Sequence, residues 1–223
     1  RHERDDAVRG FVITGYGTRA FCAGGDIGRF PSMLGDADAS AQYARDCSRL
    51  LVHLDAMTKP VVAALNGMAL GGGFELAIRC RAIVAMRDAW MQFPEITLGI
   101  LPGIGAMVVP YRRWPGAAAV FHGMLRQAEK LTAARAHELG IVAALAGDPR
   151  ELVTVAVRQV RSLAGLPGNL ARGPVALPEL EPIAPTTANG MALSSRAIAL
   201  MEDAIRGAAA ASTLASALEV ANL

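Results

Sequence analysis

Aromatic side chains are scarce, at 5% of the 223 residues, so Ala, Val, Leu and Ile must do most of the packing. No apolar run reaches membrane-spanning length, and no signal-peptide pattern opens the chain. The three cysteines, Cys22, Cys47 and Cys80, are odd in number and lack C-x-x-C spacing, which points to a reducing compartment. Together these absences lead to the expectation of a soluble, cytoplasmic protein without a membrane partner. Charge is also sparse in the net: +2, with a pI near 8.6, is too mild to argue for a nucleic-acid partner. Locally, Arg79, Arg81, Arg112 and Arg113 could still face a phosphorylated ligand. His137-Glu138 lacks the second histidine of a zinc helix, and no G-x-S-x-G elbow is present. Gly15-Tyr16-Gly17-Thr18-Arg19-Ala20 mimics a dinucleotide fingerprint. That fingerprint needs a helix at once, whereas three more glycines follow up to Gly28.

What remains is a well-filled globular chain. Hydrophobic residues make up 52% and the mean hydropathy is +0.32, enough to bury one domain's core. Strands and helices alternate. Strands are expected over 8–13, 61–65, 82–86, 90–93 and 142–145, each a short apolar run. Helices are expected from about Ser40 to Met57, from the Gly71–Gly73 turn to Cys80, near 105–111 and 116–125, over 132–140, and from Pro149 to Leu163. Residues 165–190 are rich in proline and glycine and read as a crossover before alanine-rich helices. This alternation predicts an α/β architecture.

The stretch Asn66-Gly67-Met68-Ala69-Leu70-Gly71-Gly72-Gly73-Phe74-Glu75-Leu76 carries the most information. A strand, a glycine turn and a helix leave backbone N–H groups unpaired at a helix N-terminus, where they can stabilise an oxyanion. Glu75 in the first turn would lie close to whatever those donors hold. A second carboxylate, Glu95, follows Phe93-Pro94, an apolar wall expected to raise its pKa. Two placed carboxylates beside such donors suggest proton chemistry next to a carbonyl. Each feature has an ordinary reading too: a structural turn, a solvated helix charge, a loop surface residue. Cys22 and Cys80 read as small buried hydrophobes, His53 as structural and His137 as a surface residue.

Three ordered motifs bring a resemblance. Ala20-Phe21-Cys22-Ala23-Gly24-Gly25-Asp26-Ile27, then Asn66-Gly67 through Glu75-Leu76, then Phe93-Pro94-Glu95 through Pro102-Gly103 resemble the coenzyme A site of the enoyl-CoA hydratase/isomerase (crotonase) superfamily. Leu131 through Val142 resembles the helix that follows. The resemblance implies a spiral of ββα repeats over residues 1–165. It also implies a C-terminal helical region over 166–223 that supports a homotrimer or hexamer. By position, Gly25 and Gly72 would donate the two oxyanion-hole N–H groups. Ala23 and the backbone of Gly25, Asp26, Ile27 and Gly28 would hold the adenine and pantetheine end of coenzyme A. Asp26 could equally anchor its own loop. Glu75 and Glu95 fall where hydratases keep their catalytic pair. The implied substrate is an acyl-CoA thioester, with no metal and no cofactor beyond that coenzyme A. Other reactions of the family, such as isomerisation or hydrolysis, stay open, as does a non-catalytic binding descendant. The Ile104–Arg113 segment and Arg81 depart from the family pattern. The first strands of the family have no counterpart before Val8, and the chain stops inside a helix, so an incomplete domain, or the ordered portion of a longer chain, is expected.

Overall fold

Val61-Val62-Ala63-Ala64-Leu65 is uninterrupted by any polar residue, the pattern of a parallel strand covered on both faces. In the computed structural model, which describes residues 2–26, 28, 32, 35–179 and 181–221 (the Leu50 side chain excepted), this run is strand β3 and all five residues are buried. We number the strands before it β1 (Phe11–Thr14) and β2 (Ala20–Cys22). After it come β4 (Met68–Leu70), β5 (Ala82–Met86), β6 (Trp90–Gln92), β7 (Leu131–Thr132) and β8 (Ala144–Ala146). One sheet runs β1-β3-β5-β8, all parallel, with Ile13 opposite Ala63, Ala63 opposite Ile83 and Ala85 opposite Leu145. The other runs β2-β4-β6-β7, parallel except for the last pair.

The first three strands of the first sheet are each followed by one of the second, so β1-β2, β3-β4 and β5-β6 repeat a single pattern. The first two repeats are completed by α1 (Ala37–Ala56) and α2 (Gly72–Arg79). Strand alternation sends Val62, Ala64 and Val84 to one face, where they meet Leu152, Ala156 and Val160 of α6 (Pro149–Leu163). Ala63, Leu65, Ile83 and Ala85 face the main core with Phe74 and Ile78 of α2. The remaining helices are α3 (Val109–Arg113), α4 (Ala118–Gln127), α5 (Ala133–Glu138), α7 (Ser195–Ala210) and α8 (Leu214–Val220).

Asn66 explains how the two glycine loops come together. Its buried side chain donates to the carbonyls of Gly17 (2.8 Å) and Ala20 (3.1 Å) and accepts from the Gly15 amide (2.9 Å). That ties the β3–β4 corner to the β1–β2 connection. Gly73 then packs against β2 so closely that a Cβ there would lie 2.2 Å from the Cys22 carbonyl oxygen.

The apolar faces of α7 and α8 are absorbed within the chain, α7 burying Ile198, Met201 and Ile205 and α8 burying Ala217 and Leu218. Two of the arginines expected to face a ligand are also buried. Arg112 is 3% exposed and donates to the carbonyls of Ala171, Arg172, Ala208 and Ala211 at 2.8–3.3 Å, clamping the C-terminal segment to the core. Arg79 is 1% exposed and is described with the site.

Candidate functional site

A glycine with no side chain caps α2. Gly71 has φ +48°, a left-handed conformation that glycine adopts without a steric penalty, and the helix has no side-chain N-cap bond. The Gly24–Gly25 turn lies directly against this helix start. A Cβ on Gly24 would sit 2.8 Å from the Leu70 carbonyl and 3.1 Å from the Gly72 nitrogen, and one on Gly72 would sit 3.7 Å from the Gly25 nitrogen. Neither the Gly25 nor the Gly72 amide donates to an acceptor among the described residues. Both glycines, with Gly24, line a cavity of about 420 Å³.

Both glutamates open onto the same cavity. Phe74 and Phe93, with ring centroids 4.9 Å apart, join α2 to the segment carrying Glu95; such a contact contributes roughly 0.5–1.5 kcal/mol beyond area burial. Glu75 and Glu95 therefore follow from neighbouring core anchors. Glu75 is 2% exposed, and its Oε1 accepts from the amides of Ile104 and Ala106, both at 2.9 Å. Glu95 starts a short 3-10 turn (Glu95–Leu98), and a Cβ on Gly71 would lie 2.5 Å from its Oε1. Its Oε2 is buried without a hydrogen-bond partner among the described residues.

These surroundings separate the two carboxyls. Burial pushes Glu75 up to about 7, opposed by the amides of the Ile104–Ala106 loop and by the Arg79 charge. Burial, reinforced by the Glu75 charge, pushes Glu95 up to about 8. Hydrogen bonds donated to Glu75 favour its ionised form, and the lack of any to Glu95 Oε2 favours the protonated form there. Both carboxyls thus open onto a largely apolar space walled by Leu51, Leu76 and Leu101, Glu75 held by two amides and Glu95 Oε2 without a partner among the described residues.

The first loop is less enclosed. Ala23, Asp26 and Gly28 are exposed and lie outside the lining of the cavity, and Asp26 Oδ1 accepts from the Gly28 amide at 3.0 Å. Asp26 thus anchors its own loop, and Ile27 lies outside the described residues. Cys80 is buried as expected, but Cys22 is half-buried and lines the cavity with Cys47. Cys22 ends a strand beside the glycine turn, so its side chain packs on the edge of the core and also reaches the opening.

Asp55 was not singled out by the sequence; Arg79 was expected only as a possible ligand contact, and Ile104 and Ala106 only as part of a segment that departs from the family pattern. Arg79 forms an ion pair with Asp55 of α1 and donates to the Ile104 carbonyl at 2.9 Å. The one available signal was an arginine amid Ala77, Ile78 and Cys80; backbone donors such as Ile104 and Ala106 leave none.

Known proteins share this sequence pattern and this fold. The sequence model of the enoyl-CoA hydratase/isomerase family matches residues 1–172. A probable enoyl-CoA hydratase of Bacillus subtilis is 38% identical over 152 residues, 68% of this chain and 57% of that protein. A crotonyl-CoA hydratase of Syntrophomonas wolfei is 35% identical over 162 residues, 72% of this chain and 58% of that protein. The crystal structure of an enoyl-CoA hydratase from Polaromonas superposes with a TM-score of 0.66 at 28% identity, covering 98% of this chain and 73% of the other. The chain spans a little under three fifths of the length of these two curated relatives.

Proposed function

Because the chain belongs to the enoyl-CoA hydratase/isomerase family, we propose that it adds water across the double bond of an α,β-unsaturated acyl-CoA thioester. The observation that carries this reading is the pairing of Glu75, held by two amides, with Glu95, whose Oε2 has no partner, in one cavity with Gly25 and Gly72. Glu75 takes the proton of the attacking water as its oxygen bonds to Cβ. The electrons of the double bond move toward the carbonyl, leaving an enolate on the thioester oxygen. The Gly25 and Gly72 amides receive that charge, each worth roughly 3–4 kcal/mol in comparable sites. Glu95 delivers its proton to Cα, and proton return from Glu75 through solvent resets the pair.

In this reading coenzyme A belongs to the substrate, its adenine and pantetheine end lying along Ala23, Gly25, Asp26 and Gly28, and the steps use protein groups alone. The apolar wall favours an uncharged acyl group. A homotrimer or hexamer in the cytoplasm belongs to the same proposal, the location fitting three free thiols and the assembly resting on family likeness. No helix among the described residues is long and apolar enough to cross a membrane. Steady-state assays with crotonyl-CoA and longer enoyl-CoAs test the reaction, with loss of the enoyl absorbance as the expected outcome. Double-bond migration without hydration, surviving loss of Glu75 but not of Glu95, would replace it with isomerisation.

A further inference from the structure

Arg79 stands one helical turn behind Glu75 on the same face of α2, with its side chain fully inside the protein. It faces Asp55 with two nitrogens, one of them 3.3 Å from Oδ1, and reaches the Ser48 hydroxyl at 3.5 Å and the Ile104 carbonyl at 2.9 Å. The Ile104 amide in turn donates to Glu75. One residue of the loop is therefore held from both sides, by its carbonyl to a cation and by its amide to the reacting carboxylate. Gly105, at φ +140°, lets the loop lie on the arginine stem: a Cβ there would be 3.2 Å from Arg79 Cδ.

We propose that Arg79, seated on Asp55, is a positioning residue of the hydration site, fixing the Ile104–Ala106 loop so that its amides orient Glu75. The proposal rests on the reading above. Stability is a weak reason for the pair, because a buried ion pair is often no better than apolar residues of similar volume. Its neighbours in sequence, Ala77, Ile78 and Cys80, are fully buried and apolar, so packing alone would call for an apolar residue such as methionine at position 79. What a methionine could not do is hold the Ile104 carbonyl in place. The charge acts in the same direction as the geometry, since Arg79 favours ionised Glu75. Glu95 across the cavity opposes it, Asp55 and, beyond it, Arg113 lie behind, and Tyr43, Cys22 and Cys47 stand on the cavity wall.

The test removes both charges together, in an Asp55→Asn/Arg79→Met variant, so that neither is left buried alone. We expect kcat to fall by about tenfold or more, as for a displaced catalytic group, while KM changes less than about threefold. The Glu75 carboxyl, followed by carbon-13 NMR and assigned by its loss in Glu75→Gln, should titrate at higher pH than in the parent. A double variant with parent kcat and an unmoved Glu75 titration overturns the proposal. Should the parent hydrate no enoyl-CoA, the functional reading fails and the NMR measurement decides this one alone, in the same two directions. Arg79→Lys covers the case of a double variant that does not fold. A lysine cannot reproduce the fork to both Asp55 and Ile104. A kcat lowered several-fold at constant KM supports the positioning role, and a parent-like kcat and titration overturn it.

Discussion

The helices α2 and α6 begin in opposite ways. At α6, Asp148 accepts from the amides of Arg150 and Glu151 at 2.8 and 2.9 Å, and Pro149 in the first turn has no N–H to satisfy. At α2 the capping residue is a glycine with nothing to offer, and the Gly72 amide faces a cavity. α1, α5, α7 and α8 resemble α6, with caps from Asp36, Thr132, Ser194 and Thr213. A capped end adds stability. An uncapped end, held in shape by its neighbours, keeps its donors for a ligand. An open end alone does not mark a site, since α3 and α4 also start without a side-chain cap and lie away from the cavity; what distinguishes α2 is that its open end lines that cavity.

The most severe break comes at the carboxyls of the open end. Glu75→Gln and Glu95→Gln should each lower the kcat of hydration at least ~10²-fold, with coenzyme A affinity retained. Because the two act in one addition reaction, Glu75 on the water and Glu95 on Cα, the double variant should lose far less than the product of the single losses. Near-normal hydration by either single variant, measured by steady-state kinetics, refutes the pair.

A methyl group probes the open end more gently. A Cβ on Gly72 would meet Ile104 Cδ1 at 3.3 Å, a tolerable contact, while standing near the Gly25 amide. Gly72→Ala should therefore fold, yet lose about tenfold or more in kcat by crowding the oxyanion position. Full activity with an intact melting profile would show that this amide is not used.

The open end should also be visible in stability. Glu75 and Glu95 hold protons in the folded state up to about 7 and 8, against 4.5 ordinarily. Their favourable contribution is complete below about pH 4.5 and is lost as pH rises through the folded values, by up to about 1.4 kcal/mol per pH unit for each carboxyl. Urea midpoints measured from pH 5 to 8 should fall, and Glu95→Gln should flatten that fall. A parent profile no steeper than the variant's contradicts the assignment.

The smallest effect belongs to the closed end. Asp148→Ala should reduce unfolding free energy by ~1 kcal/mol and leave kcat unchanged. A change in kcat would mean that α6 is coupled to the site and that the contrast between the two helices fails.

The sequence revealed these regions unequally. The start of α6 was legible to the residue, because Asp148-Pro149 is local chemistry. So was α5, whose Thr132 accepts from the Arg135 amide and whose Gly140 takes φ +72°. α1 begins three residues earlier than Ser40, since Asp36 provides the cap and the Ser40 hydroxyl donates back to the Asp36 carbonyl. Strands β2 and β4 were read as loop: three residues each between glycines, they exist because of partners elsewhere in the chain. The helix expected over 105–111 shrinks to α3, as Gly105 has φ +140° and cannot join it. The two glutamates were visible through the ordered motifs. The loop that holds Glu75 was not, because amide donors belong to every residue.

Arg112 has a consequence for how the molecule is made. Its guanidinium joins carbonyls 59 to 99 residues further along the chain. At ribosomal rates on the order of 5–20 residues per second, those partners emerge several seconds after the arginine does. Throughout that interval the β3-centred core can assemble, but the underside of α3 has neither its clamp nor the covering helix α7. A nascent chain of this protein therefore carries a buried-to-be cation beside open apolar surface, and long-range closure of this kind is a late step in folding. The helices α7 and α8 thus close over α3 only after the β3-centred core has had time to form.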